Sequence, residues 1–286
     1  MRNLIRINDY SKDEVYEIFK IAEEIKNGKY TDFLKGKSIV MFFPSSSIRT
    51  RVTYEKGIYQ LGGQSVLFPS DTLDKKENIK DVVGYLNNWA ECIIVRHSNI
   101  ELIEKMSKSS AVPIINAMTS VNHPCEILTD LYSLSKIRDD YLNAKYLFVG
   151  AKGNIGMAWK EASDLFGFEL TQSCPTGYEI NGVTVEHNLR EAIIGKDIVL
   201  TDPINKDILK DFMNHQITKS LMDTANPNAL FNPCPPFYRG EEVSADVIDS
   251  NYFVGYEFKK HLLEVQQAII IYNINNGEKR ILFWRR

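Results

Sequence analysis

At 286 residues the chain exceeds one doubly wound unit of ordinary size and suits two domains of about 130 to 150 residues each. Its 44% apolar and 25% charged residues suffice for a sizeable core and exclude a disordered chain, and a formal charge of −3 argues against nucleic acid or a membrane surface as a partner. Cys92, Cys125, Cys174 and Cys234 lack C-x-x-C spacing and an accompanying His pair, so no metal site and no disulfide framework is expected; without an apolar export segment, a reducing cytoplasm is the expected location.

The first predicted element is an amphipathic helix in YSKDEVYEIFKIAEEIKNGKY, where Val15, Ile18, Phe19 and Ile21 to Ile25 fall at helical spacing. Ser11 as N-cap and Glu14 three residues on make a capping box that marks its start. Short apolar strands then alternate with helical segments: SIVMFF, a helix to LGG, QSVLF, a helix near DVVGYLNNW, CIIVRH, a helix, and VPIINAM. After the charged stretch SKIRDDYLNA a second series begins, with KYLFVG, FELTQSC, VTVEH, DIVLTD and LFNPC as strands. Such alternation predicts an α/β fold with two doubly wound parallel-sheet domains. The boundary is placed near residues 135 to 143, giving a first domain over 1–135 and a second over 143–256. The segment YEFKKHLLEVQQAIIIYNI opens a C-terminal helical stretch, 257–286, expected to pack back on the first domain; the basic, aromatic end KRILFWRR suggests no role.

The corner FFPSSSIRTR carries the densest chemistry. With SIVMFF as a strand and a helix starting near Ile48, the turn exposes N–H groups and the positive end of a helix dipole, an arrangement that holds anions. Ser47 and Thr50 add hydroxyls, and Arg49 adds a planar fork matched to phosphate oxygens. Two residues along a helix are rotated by about 200°, so Arg51 points elsewhere and is assigned to an internal carboxylate. The plain alternative is a capped surface helix with solvated arginines. Against it, ligands in open α/β sheets sit beyond the carboxyl ends of strands, and here three ends converge: this corner, Arg96 with His97, and NHPCE. Pro124 suits a first helical position, leaving His123 at the cap and Glu126 one turn on, where the first can donate to a carbonyl oxygen and the second accept from an amide nitrogen.

These residues resemble the aspartate/ornithine carbamoyltransferase family, whose carbamoyl phosphate site carries S-x-R-T-R, an arginine–histidine strand end and H-P-x-Q in this order. The matches are SIRTR at 47–51, RH at 96–97 and HPCE at 123–126, and the likeness extends over most of the chain. The resemblance implies attack of an amine, most simply ornithine, on carbamoyl phosphate with loss of phosphate, needing neither metal nor organic cofactor. It implies that Ser47, Arg49, Thr50 and the Ile48 N–H hold the phosphate, with Arg96 and His123 at the carbonyl oxygen and Glu126 and Cys234 completing that site. It also implies a homotrimer with sites shared between subunits, a neighbour contributing a side chain from the loop DTLDKKENIKD, where Lys75 is the candidate. Asn154 and Asp202 are the candidates for the amine.

Three stretches depart from the family pattern. Glu126 stands for its glutamine; FNPCPPFYRGEEV replaces the late H-C-L-P, with Asn232 for the histidine; and LTDPINKDILK keeps Thr201 and Asp202 but lacks the S-M-G that follows. The amine pocket is therefore expected to be rebuilt, with acylated ornithine or another diamine as alternatives, and Asp202 has a competing role as N-cap of NKDILKDF. Two other readings compete: a paralogue that binds carbamoyl phosphate without catalysis, and a nucleotide-binding enzyme suggested by KYLFVGAKGNIG, which lacks the G-x-G opening and a clear acidic residue at the next strand end.

Overall fold

The computed structural model describes residues 2–284; of the expected C-terminal segment, residues 285 and 286 lie outside the described residues. The chain divides into two units, Met1–Ser133 with Lys259–Arg286, and Leu134–Phe258.

The first unit opens with helix α1 (Lys12–Lys26), which starts where its capping box requires: Ser11 Oγ accepts from the Glu14 N–H at 3.3 Å and Glu14 Oε2 from the Ser11 N–H at 2.8 Å. Its sheet comprises β1 (Ser38–Phe43), β2 (Gln64–Pro69), β3 (Cys92–Arg96) and β4 (Ile114–Met118), all parallel in the order β2-β1-β3-β4. Helices α2 (Arg49–Gln60), α3 (Ile79–Leu86), α4 (Ile100–Ser109) and α5 (Pro124–Leu134) link or follow these strands. The inner strands β1 and β3 are almost wholly buried, which is why they read as unbroken apolar runs; the edge strand β2 is only half-buried. Val40, Phe42, Ile93 and Val95 from the sheet pack with Val83, Ile103 and Met106 from α3 and α4.

The second unit contains β5 (Tyr146–Val149), α6 (Asn154–Phe166), β6 (Leu170–Ser173), β7 (Thr184–Val185), α7 (Leu189–Ala192), β8 (Ile198–Thr201), α8 (Lys219–Met222), β9 (Leu230–Pro233) and α9 (Ala245–Ile248). Its sheet is again parallel, in the order β7-β6-β5-β8-β9. Of the glycines that suggested a nucleotide loop, Gly156 has a packing reason: a Cβ there would lie 2.6 Å from the Phe148 ring, so α6 approaches the sheet only because that residue is glycine.

Helix α10 (Leu262–Trp284) belongs to the first unit and packs on α1 and α2, as expected from the sequence. Gln267 Nε2 donates to the Gly57 carbonyl at 3.0 Å, and a Cβ on Gly57 would come within 2.9 Å of Gln267 Cγ. Asn273 Nδ2 donates to the Tyr10 hydroxyl at 2.6 Å and Tyr272 donates to Glu14 Oε1 at 2.8 Å.

Candidate active site

In each sheet the strand order reverses once, and the crevice at that point, beyond the carboxyl ends of the strands, is where an open α/β sheet receives a ligand. In the first unit the reversal lies between β1 and β3. The corner after β1 leads into α2, whose N-cap is Ile48, 71% exposed, and whose first residues are Arg49 and Thr50. Arg96 ends β3, where the register with β4 slips: Val95 pairs with Asn116 but Arg96 with Met118. Such a bulge re-aims a side chain. Arg96 Nη1 donates to Ser47 Oγ at 3.2 Å and to Thr50 Oγ1 at 3.1 Å, so the two strand ends are joined by one guanidinium on two buried hydroxyls.

Arg49 is exposed at the first position of α2, and its charge acts on Glu126. Arg51 turns away as expected, but to a carboxylate of its own helix: Nε lies 2.6 Å from Glu55 Oε1, both side chains about two-fifths exposed, so the partner is not internal. His97 also turns away. Its Nδ1 accepts from the Asn99 N–H at 3.1 Å, so Nε2 carries the hydrogen that meets Asp74 Oδ1 at 2.9 Å. Asp74 ends the 3-10 turn Ser70–Asp74, and Lys75 follows, exposed; no hydrogen bond or ion pair joins Lys75 to the Ser47–Thr50–Arg96 group.

Helix α5 begins at Pro124, with His123 and Glu126 both buried and His123 Nε2 4.0 Å from Glu126 Oε2. Burial pushes the His123 imidazole down to about 4; Glu126 opposes this and the Arg96 and Lys259 charges reinforce it. The ring is therefore neutral at physiological pH, and its Nδ1 is buried without a hydrogen-bond partner. Burial works against the Glu126 charge, but Lys259, then His123 and Arg49, outweigh it and hold the carboxyl below its usual range. Cys125 between them is a packed thiol: burial pushes it up to about 12, and its sulfur accepts from the Tyr54 hydroxyl at 3.2 Å.

Two side chains of this region escape a sequence reading. Lys259 Nζ reaches Glu126 Oε1 at 2.8 Å and Asp130 Oδ1 at 2.5 Å. Asp130 lies one helical turn beyond Glu126, a spacing visible in the sequence; Lys259 is 133 residues away from Glu126 and carried no local signal.

In the second unit the reversal lies between β5 and β8. Asn154 opens α6 after β5, Asp202 follows β8, and a Cβ on the intervening N-cap Gly153 would lie 3.8 Å from Asp202 Oδ2, which places Asp202 at the start of α6. The competing role for Asp202 is filled by another residue. NKDILKDF forms turns, not a helix, and Asn205 Oδ1 accepts from the Asp207 N–H at 3.1 Å. Thr201 Oγ1 and Ser173 Oγ, at the ends of β8 and β6, are buried without hydrogen-bond partners. Cys234 follows β9, is buried, and its N–H donates to the Thr201 carbonyl at 2.9 Å. Arg239 is committed to Asp249 at 3.1 Å on the surface.

Among the described residues there is no group of three or more His, Cys, Asp or Glu side chains placed to hold a metal ion, and no helix is long and apolar enough to cross a membrane.

Two doubly wound parallel sheets, the first with hydroxyls, a guanidinium and a neutral imidazole gathered about its switch point, define the class as an α/β protein with a ligand site built at strand ends. The chain matches the aspartate/ornithine carbamoyltransferase carbamoyl-P binding domain over residues 2–136 and the Asp/Orn binding domain of the same family over residues 142–273. An ornithine carbamoyltransferase of Hydrogenovibrio crunogenus is 33% identical over 95% of this chain and 98% of its own, and one of Methanobrevibacter smithii is 32% identical over 94% and 98%. Among solved structures, the ornithine carbamoyltransferase of Pyrococcus furiosus superposes with a TM-score of 0.90 at 27% identity, covering 96% of this chain and 97% of that one; the Burkholderia thailandensis enzyme gives 0.88 at 28%, covering 96% and 99%. The chain belongs to the aspartate/ornithine carbamoyltransferase family and is a carbamoyltransferase.

Proposed function

We propose that the chain transfers the carbamoyl group of carbamoyl phosphate to the side-chain amine of ornithine, with the first unit holding carbamoyl phosphate and the second the amine. The observation that carries this reading is the bridge from Arg96 to Ser47 and Thr50, which assembles donors at one strand-end corner with neutral His123 in the same unit. Arg49, Ser47, Thr50 and the Ile48 N–H take the phosphate oxygens. Arg96 and His123 face the carbonyl oxygen as negative charge develops on it, the usual dominant contribution in acyl transfer. The amine lone pair attacks the carbonyl carbon, the bond from carbon to the phosphate oxygen breaks, and phosphate leaves with the proton of the amine. Glu126 accepts from the carbamoyl nitrogen. Asp202, with Asn154, receives the amino-acid substrate. Relatives named as ornithine carbamoyltransferases, matched over nearly the whole chain, support ornithine as acceptor. The working form is a cytoplasmic homotrimer in which Lys75 of one copy serves the site of the next, a reading supported by its exposure next to the His97–Asp74 tie.

Phosphate release from carbamoyl phosphate, measured against ornithine, N-acylated ornithines, aspartate and putrescine, tests this. Release dependent on ornithine is the expected result. Release dependent on another amine would change the acceptor, and binding of carbamoyl phosphate with no turnover on any amine would overturn the catalytic assignment.

A further inference from the structure

Two carboxylates one helical turn apart on α5, Glu126 at 5% and Asp130 at 2% exposure, face a single lysine whose side chain is 16% exposed. Like charges at this spacing repel, and burying either carboxylate without a counter-ion is costly. Lys259 answers both, with Nζ 2.8 Å from Glu126 Oε1 and 2.5 Å from Asp130 Oδ1. The pairing is also selective by atom. It occupies Oε1 of Glu126 and leaves Oε2, which faces His123 at 4.0 Å and has no hydrogen-bond partner among the described residues.

We propose that Lys259 is a positioning residue of the site: by clamping Oε1 of Glu126 against Asp130, it presents Oε2 as an acceptor-only group for the donor nitrogen of the bound carbamoyl moiety. This rests on the proposed carbamoyl phosphate site. A carboxylate offers lone pairs and no N–H, so the reader admits an –NH2 group and rejects a carbonyl or hydroxylate oxygen at that position. A glutamine in the same place needs no counter-ion and can turn either end of its amide to the ligand. The clamp is what makes glutamate serviceable here.

The test measures carbamoyl phosphate affinity by calorimetry as a function of pH, for the full chain and for Lys259→Met, Glu126→Gln and the double variant. Loss of the counter-ion is expected to weaken binding by at least about tenfold at neutral pH. Affinity in Lys259→Met should recover as pH falls and Glu126, left facing His123, Arg49 and the Asp130 carboxylate, takes up a proton. In the Glu126→Gln background the lysine has no carboxylate at 126 to clamp, so removing it should change affinity by less than about threefold and abolish that pH dependence. A purely structural lysine would lower thermal stability without moving the pH profile of binding. Should Lys259→Met alone fail to fold, the comparison of Glu126→Gln with the double variant decides: an equal tenfold loss there overturns the proposal. Wild-type pH dependence and affinity in Lys259→Met would overturn it as well, while failure of the unmodified protein to bind carbamoyl phosphate would overturn the underlying site assignment.

Discussion

The two units share a topology and differ in how their switch points are furnished. In the first, the side chains at the strand ends are committed to one another: Arg96 holds Ser47 and Thr50, and Lys259 holds Glu126 and Asp130. In the second, the hydroxyls of Thr201 and Ser173 are buried without partners, and Gly156 in the first turn of α6 serves helix packing. A corner of interlocked charged groups tolerates little substitution, because each change strands a partner. Of the three stretches that depart from the family pattern, two, around Asp202 and Cys234, lie in the second unit; the third, Glu126, lies in the first together with the lysine that answers its charge. The lesson is that the proposed carbamoyl phosphate corner is preorganised by its own residues, whereas two of the three departures from the family pattern fall in the unit proposed to take the amine.

The sharpest way to break this contrast is Arg96→Ala, which should cut kcat by about 10² to 10³ by removing an oxyanion donor; steady-state kinetics should find the amine KM unchanged, and a parallel rise in it would erase the distinction between the corners. Next comes the acid sensitivity that His123 lends the first unit. The unfolded chain binds a proton at His123 below about pH 6.5 that the folded chain refuses down to about 4, so stability is lost as pH falls through that window, by up to about 3 kcal/mol. Glu126, held below its usual range, begins to lose its contribution as pH falls through the ordinary carboxylate range, toward the acid end of the same window. Denaturant melts of the wild type and His123→Asn between those pH values should show the slope in the first and a flatter line in the second. Arg49→Ala should raise the carbamoyl phosphate KM by roughly 10- to 100-fold through loss of a charge-assisted contact, and an unchanged KM would remove Arg49 from the site. In the second unit, Asp202→Asn should raise the amine KM about tenfold and leave the carbamoyl phosphate KM alone. The smallest effect is expected at Arg51→Ala, whose exposed pair with Glu55 on the same helix is worth less than about 0.5 kcal/mol, read as a Tm shift near the error of the measurement.

Much of this was legible before any coordinates. The strands show as apolar runs because buried parallel strands are apolar on both faces, and the α1 capping box works within four residues. SIRTR lies on a strand-to-helix turn, so Ser47, Arg49 and Thr50 are placed by local backbone geometry alone. Sequence reasoning went astray where the choice of partner was made by packing: Arg51 found Glu55 on the surface of its own helix instead of an internal carboxylate.

The sequence by itself therefore determined the α/β class, the strand ends and the motif residues, all of which depend on spacings of a few residues. Only the tertiary structure decided that a register slip at Arg96 aims its guanidinium at Ser47 and Thr50, and that His123 is kept neutral by burial. It also decided that Glu126 is clamped by a lysine 133 residues away. Burial and long-range ion pairing depend on which elements meet in space, and a linear pattern does not contain that information.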